Sequence, residues 1–130
     1  MAEVLVVDDD MDIGDLLALL LRDLGHGVRV ARNGEEGLSL CYAQKPDLVL
    51  LDVEMPVLTG PQMALRIFLH DMGYEEVPIV LLSGVVDLKQ IAAMVGTPYF
   101  LAKPYDLESL LPVIDRALAE RVPPVPTLRE

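Results

Sequence analysis

Five short apolar runs divide the chain, and most of them lack the alternation of apolar and polar residues that marks a strand with one wet face. The runs occupy residues 4–7, 28–31, 48–51, 79–82 and 99–102. Continuous stretches rich in Val, Ile and Leu are typical of strands buried on both faces, as in a parallel sheet covered by helices. The second run includes Arg29 and suits an edge of the sheet. The pattern therefore predicts five strands.

Helical periodicity occupies the segments between these runs. Apolar residues recur at i, i+3, i+4 and i+7 in two stretches, and we assign both stripes to the core. The stripes are Ile13, Leu16, Leu17, Leu20 and Leu24, and then Leu107, Leu110, Leu111, Ile114 and Leu118. Three more helices are predicted at residues 34–44, 61–71 and 86–95, and Gly25, Gly73 and Gly96 are predicted to end helices.

Strand and helix thus alternate five times, and parallel strands joined in this way need right-handed crossovers over a face of the sheet. We predict an α/β fold with a doubly wound, five-stranded parallel sheet and helices on both faces. Residues 1–121 are expected to form this domain. Residues 122–130 contain Pro123, Pro124 and Pro126, so we expect a linker stub or a disordered tail there.

Composition and charge exclude several classes of protein. The chain has 130 residues, of which 52% are hydrophobic and 24% charged, the balance of one globular domain. No apolar run reaches the ~18 residues of a membrane span and no secretory leader is evident, so we expect a cytoplasmic protein without a membrane partner. The formal net charge of -11, without a basic stripe, disfavours nucleic-acid binding. The single cysteine, Cys41, is expected to be a small buried side chain.

Charged or hydroxyl residues follow four of the predicted strands. They are Asp8 and Asp9 after the first strand, Asp52 after the third, Ser83 after the fourth and Lys103 after the fifth. The carboxyl ends of parallel strands share one edge, and in the strand order 2-1-3-4-5 the ligand crevice lies between strands one and three. Asp8, Asp9 and Asp52 are therefore expected to lie together.

Three neighbouring carboxylates repel one another unless a cation neutralises them. Mg²⁺ prefers oxygen ligands and typically uses one or two carboxylates together with phosphate oxygens. Lys103 offers a compact positive charge for a phosphate, and Ser83 offers a hydroxyl donor. These parts suit the transfer of a phosphoryl group onto a carboxylate. Asp52 stands alone at its strand end and is the candidate nucleophile, whereas Asp8 and Asp9 form a pair suited to holding the metal.

Four motifs, in order and at a definite spacing, carry a resemblance to a known family. They are Val-Val-Asp-Asp-Asp at 6–10, Leu-Leu-Asp-Val-Glu-Met-Pro at 50–56 with Gly60, Leu-Ser-Gly at 82–84, and Leu-Ala-Lys-Pro at 101–104. Together they resemble response-regulator receiver domains, the CheY-like superfamily of two-component signalling, over roughly residues 3–120. The resemblance implies a flavodoxin-like fold with sheet order 2-1-3-4-5.

The resemblance also implies a role for each matched residue. Asp52 would accept the phosphoryl group and would ligate Mg²⁺ together with Asp8 and Asp9, directly or through water. The backbone carbonyl of Glu54 would be a further ligand of the ion.

A second set of matched residues is implied to bind and sense the phosphoryl group. Ser83 and Lys103 would bind phosphoryl oxygens, and Ser83 would form a switch with Phe100. Taken alone, Phe100 fits fixed core equally well. Gly84 stands where many relatives have alanine, and the segment between Ser83 and Lys103 is short, so we expect an altered fourth helix.

Partners follow from the same resemblance. The phosphoryl donor would be a phosphohistidine of a sensor histidine kinase or of a phosphotransfer protein, and the signal would pass to a downstream protein partner or an output domain. A homodimer through the fourth helix, fifth strand and fifth helix is a further expectation. The domain would catalyse its own phosphorylation and dephosphorylation without turning over a separate substrate, so we do not expect an enzyme in that sense.

The acids and the lysine are also compatible with two different functions. A Mg²⁺-dependent phosphohydrolase with an aspartyl nucleophile usually has a second acid two residues later, and Glu54 occupies that offset from Asp52. Such enzymes also use a cap domain or polar loops to bind substrate, which the sequence does not indicate. A receiver that signals without phosphorylation would have lost one of the acids or the lysine.

Considered one at a time, some of these residues also fit ordinary structural roles. Asp52 alone fits an acid in a loop, and Lys103 alone fits a solvated surface lysine. Asp10 or Asp12 is expected to cap the first helix.

Overall fold

The computed structural model describes residues 2–53, 76–84, 88–102 and 106–125. Its elements follow in the order β1 (Glu3–Val7), α1 (Met11–Asp23), β2 (Gly27–Ala31), α2 (Gly34–Ala43), β3 (Leu48–Asp52), β4 (Ile79–Ser83), α3 (Leu88–Val95), β5 (Tyr99–Ala102) and α4 (Leu107–Glu120). The helix predicted at 61–71 and the stop predicted at Gly73 lie outside the described residues.

The strands form one parallel sheet in the order β2-β1-β3-β4-β5. The prediction of five parallel strands in this order is confirmed. Strands β1, β3 and β4 are almost wholly buried, as their uninterrupted apolar sequences require. Strand β2, which carries Arg29, lies at one edge, and the Arg29 guanidinium donates to the carbonyls of Leu40 and Gln44 at the end of α2. The charged residue thus finds hydrogen-bond acceptors at the carboxyl end of the helix.

Two hydrophobic clusters cover the two faces of the sheet, because successive residues of a strand point to opposite sides. Helices α2 and α3 pack on one face against the odd-numbered strand residues Leu5, Val7, Val49, Leu51, Ile79 and Leu81. Helices α1 and α4 pack on the other face against Val4, Val6, Leu48, Leu50, Val80 and Leu82. The doubly wound arrangement fixes the strand ends from both sides.

Side-chain capping sets where the first helix begins. The Asp10 carboxylate accepts from the backbone N–H groups of Asp12 and Ile13, at 3.1 Å and 3.2 Å. Of the two candidate caps, Asp10 is the one that the structure uses. A cap of this kind stabilises a helix by about 1 kcal/mol.

The leucine stripe assigned to the core of α1 is wrong at two positions. Leu16 is 56% exposed and Leu24 is 53% exposed. The buried face is formed by Gly14, Leu17, Ala18 and Leu21. Gly14 lies so close to β2 that a Cβ atom on it would meet Val30 Cγ1 at 3.1 Å. The small residues let the helix approach the sheet and turn Leu16 outward, and Leu24 lies beyond the last helical residue.

In α4 the predicted stripe is closer to the observed core. Leu110 and Ile114 are fully buried, Ala117 joins them, and Leu111 and Leu118 are partly buried. The side chain of Leu107 lies outside the described residues. No helix among the described residues has the length and apolar character needed to cross a bilayer.

The chain turns back onto the domain after α4. Arg121 adopts the left-handed conformation with φ 52°, and Pro124, three residues later, is buried. The Val122 N–H donates to Tyr99 Oη at 3.3 Å, and the Val125 N–H donates to the Gly96 carbonyl at 3.2 Å. The tail therefore contacts the domain as far as it is described, and the predicted boundary at residue 121 stays a prediction.

Candidate functional site

Three carboxylates meet at the carboxyl edge of the sheet, where β1 and β3 are neighbours. Val7 is paired with Leu51, so the residues that follow them emerge side by side. Asp8 continues the β1 course, and its N–H donates to the Ala31 carbonyl at 3.1 Å. One carboxylate oxygen from each of Asp8, Asp9 and Asp52 lies within 4.8 Å of the other two. The structure thus brings together the three acids that the sequence selected.

The cluster is buried on one side and open on the other. Asp8 is 2% exposed and Asp52 is 6% exposed, whereas Asp9 is exposed. Asp8 Oδ1 accepts from the Asp10 N–H at 2.9 Å, which orients its carboxylate within the turn. Keeping like charges this close and largely out of water costs free energy unless a cation neutralises them.

The donor set fits a hard divalent cation. Three carboxylate oxygens are ligands that Mg²⁺ prefers, and the exposed Asp9 side leaves room for the waters that this ion retains. Thiolate or imidazole, which softer metals prefer, is not part of the cluster.

Ser83 lies beside the acids on the next strand. Asp52 is paired with Leu82, and the Val53 N–H donates to the Leu82 carbonyl at 3.2 Å, so Ser83 follows directly after the partner of Asp52. The Ser83 residue is buried, with 1% of its surface exposed. On the far side Ser83 is paired with Ala102, the last residue of β5.

Phe100 lies on the edge strand β5, opposite Leu81 of β4. It is 36% exposed, while its neighbour Tyr99 is fully buried. Phe100 is therefore not a fixed core residue in this conformation. Lys103 and Glu54 lie outside the described residues, and their expected roles stay predictions.

Cys41 belongs to the core and has no part in this site. It is fully buried in α2, and burial raises the pKa of its thiol to about 11. A thiol with so high a pKa is almost entirely protonated near neutral pH and is a poor nucleophile.

A cleft of about 510 Å³ lies at the opposite, amino-terminal edge of the sheet, close to the starts of β3 and β4. Its charged lining residues pair with one another, Lys45 with Glu76 at 3.4 Å and Arg121 with Asp47 at 3.8 Å. The cleft is thus separated from the acids by the length of the strands. We assign no ligand to it.

Tyr99, the first residue of β5, makes a structural contact at the edge of the sheet opposite the acids. The Tyr99 hydroxyl donates to Glu120 Oε1 at 3.0 Å and thereby ties β5 to the last turn of α4. Its apolar strand context gave no signal of a polar partner, since Glu120 is distant in sequence.

Comparison with known proteins agrees with this geometry. The family model described as the response regulator receiver domain matches residues 4–115. Protein PilH of Pseudomonas aeruginosa is 36% identical over 121 residues, which cover 92% of this chain and 99% of PilH. The DNA-binding dual master transcriptional regulator RpaA of Synechocystis is 31% identical over 97% of this chain, but the chain spans only 52% of RpaA.

Solved structures show the same fold. The chemotaxis response regulator CheY4 of Vibrio cholerae has a TM-score of 0.83 at 33% identity, covering 91% of this chain and 99% of CheY4. The receiver domain of NtrX from Brucella abortus has a TM-score of 0.79 at 33% identity, covering 89% of this chain and 98% of that one. Receiver domains bind Mg²⁺ through acidic residues and are generally not enzymes that turn over a separate substrate. This chain belongs to the response regulator receiver domains, the phosphoacceptor modules of two-component signalling.

Proposed function

We propose that Asp52 is the residue that accepts the phosphoryl group and that Asp8 and Asp9 hold Mg²⁺ beside it. The observation that carries the proposal is the clustering of three carboxylates within 4.8 Å at the edge of the sheet. Strand order then distinguishes their roles. Asp52 ends β3, which lies between β1, with its pair of acids, and β4, with Ser83. A phosphoryl group on Asp52 would have the metal on one side and a hydroxyl on the other.

The chemistry requires little beyond positioning and neutralisation of charge. When bound, Mg²⁺ would neutralise the carboxylates and the phosphoryl oxygens. An Asp52 oxygen attacks the phosphorus, and the bond between phosphorus and the donor's imidazole nitrogen breaks. The electron pair of that bond stays on the imidazole. In this scheme Ser83 would donate its hydroxyl to a phosphoryl oxygen, Lys103 would pair with another, and the Glu54 carbonyl would be a further metal ligand.

The donor in this proposal is a phosphohistidine of a sensor histidine kinase or of a phosphotransfer protein. The phosphorylated domain would act on a downstream protein partner or output domain, or would form a homodimer, in the cytoplasm. A net charge of -11 supports a protein partner over nucleic acid. The domain would catalyse only its own phosphorylation and dephosphorylation. A Mg²⁺-dependent phosphohydrolase is not favoured, because the family matched over residues 4–115 is one of phosphoacceptors.

Signalling in this proposal uses Ser83 and Phe100 as a switch. Movement of Ser83 toward the phosphoryl oxygens would open space next to β5, which the partly exposed Phe100 would fill by a change of rotamer. The surface formed by α3, β5 and α4, which are the predicted fourth helix, fifth strand and fifth helix, would then bind the partner. A coupling free energy of about 1–3 kcal/mol is typical of such links and suffices to change partner affinity severalfold.

Phosphorylation by a small donor tests the proposal. The full chain is incubated with acetyl phosphate and Mg²⁺, and its intact mass is measured. We expect one added phosphoryl group, none in Asp52→Asn, and normal labelling in Asp15→Asn, a control that removes an exposed acid of α1. Labelling of Asp52→Asn to the wild-type extent would refute Asp52 as the acceptor.

A further inference from the structure

We propose that residues 122–125 form a strap that is docked on the domain in its unphosphorylated state and detaches from Gly96 when Asp52 is phosphorylated. The inference rests on the proposed function. It adds that phosphorylation of Asp52 would change how the segment after α4 is attached to the domain.

The strap uses every backbone donor that it has. Its sequence is Val-Pro-Pro-Val, and the two prolines carry no N–H group. The two remaining N–H groups bind different elements: that of Val122 donates to Tyr99 Oη at 3.3 Å, and that of Val125 donates to the Gly96 carbonyl at 3.2 Å. Pro124 is buried between them. Two adjacent prolines also restrict the undocked segment, which lowers the entropy lost on docking.

Gly96 lies where the strap leaves no room for a side chain. It ends α3 in a left-handed conformation with φ 78°, and its N–H donates to the Ala92 carbonyl at 2.8 Å. A Cβ atom at this position would collide with the backbone carbonyl of Val125. Glycine is thus required here both by its backbone conformation and by the close approach of the strap.

Tyr99 provides the second attachment point. Its ring is fully buried, its hydroxyl donates to Glu120 at 3.0 Å, and the Arg116 guanidinium lies 5.2 Å from the ring centroid. Arg116 Nε also contacts Glu120 at 3.2 Å. These contacts join β5, the end of α4 and the start of the strap into one connected group.

The geometry of the strap makes it sensitive to the switch. It begins at the end of α4, and its two attachment points lie at the end of α3 and at the start of β5, the strand that also carries Phe100. Helix shifts in switching proteins are about 1–2 Å. A displacement of ~1 Å between α3 and α4 would stretch the Val125 bond beyond hydrogen-bonding distance. Because coupling is reciprocal, a docked strap would favour the unphosphorylated state.

Hydrogen exchange of two amides tests the proposal in the full chain with Mg²⁺. Exchange of the Val122 and Val125 amides is measured by NMR with and without beryllofluoride, a phosphoryl mimic. We expect both amides to be protected without the mimic, and the Val125 amide to exchange about tenfold faster with it, within the range typical of allosteric coupling. An unchanged or slower rate, with a clear shift of the Val53 amide beside Asp52, would overturn the strap while leaving the proposed function intact. No shift at Val53 would overturn both.

A pair of matched variants tests whether docking depends on Gly96. Asn tolerates the left-handed conformation, but its Cβ would still collide with the strap, so Gly96→Asn should expose the Val125 amide even without the mimic. Gly25→Asn is the control, because Gly25 also has a positive φ, of 95°, after α1. It should leave the Val125 amide protected. Wild-type protection of Val125 in Gly96→Asn would refute the docked strap.

Discussion

Replacing Asp52 by Asn should stabilise the domain when divalent ions are absent. One oxygen from each of the three carboxylates lies within 4.8 Å of the corresponding oxygens of the other two. At that separation two unit charges repel by about 3.5 kcal/mol at an effective dielectric constant of 20 and by about 0.9 kcal/mol in bulk water. Asp8 and Asp52 are buried, which favours the larger value for their pair, whereas the exposed Asp9 favours the smaller one.

The net gain in the free energy of unfolding is smaller than the repulsion that the substitution removes. Hydrogen bonds to a charged group are worth about 1.5–3 kcal/mol, so weaker contacts of the uncharged side chain with its neighbours offset about that much. We therefore expect Asp52→Asn to be more stable than the wild type by about 1–2 kcal/mol in EDTA. For a domain of this size that corresponds to a rise in melting temperature of about 3–8 °C.

Mg²⁺ should cancel most of this difference in stability. An ion that binds only the folded wild-type site adds RT ln(1 + [L]/Kd), about 1.4 kcal/mol at ten times Kd, and Asp52→Asn should lose most of this gain. The assay is thermal unfolding followed by circular dichroism, in EDTA and in Mg²⁺ at equal ionic strength. Asp115→Asn, which removes an exposed acid of α4, controls for net charge. A destabilised Asp52→Asn in EDTA, or an equal Mg²⁺ response in both proteins, would refute the reasoning.

Three further predictions concern the rest of the fold. Truncation after Arg121 should lower the melting temperature by several degrees, because it removes two hydrogen bonds of about 1 kcal/mol each, and an unchanged value would show that the tail contributes nothing. Asp10→Ala should destabilise the domain by about 1 kcal/mol in urea unfolding through loss of the helix cap, with Asp12→Ala as the weaker control. Cys41 should react with a thiol reagent at pH 8 only after unfolding, because its thiol is buried with a pKa of about 11. Rapid labelling of the native protein would contradict the last prediction.

The sheet and its acidic edge could be predicted because the relevant signals are local. Each apolar run is a strand, and the carboxyl ends of parallel strands must share an edge, so Asp8, Asp9 and Asp52 meet wherever the order is β2-β1-β3-β4-β5. Arg29 marked the edge strand because a charged residue is costly between two helical layers.

The sequence failed to predict features that are set by tertiary contacts. The exposure of Leu16 follows from how closely α1 approaches β2, which depends on Gly14 lying against Val30. Helical periodicity alone does not fix how α1 is rotated about its own axis against the sheet. The contact of Val125 with Gly96 depends on a left-handed turn and on two segments distant in sequence, so the prolines indicated only that the helix stops.

Identification of the phosphorylated atom tests the central claim most directly. The full chain is phosphorylated with acetyl phosphate and Mg²⁺ and reduced with borohydride, which converts an aspartyl phosphate to homoserine, and the modified residue is located by peptide sequencing in a mass spectrometer. We predict conversion at residue 52 alone, dependent on Mg²⁺ and lost when Asp9 is replaced by Ala. Conversion at Asp8 or Asp9, or equal conversion in EDTA, would contradict the proposal that Asp52 is the acceptor beside a metal held by the other two acids.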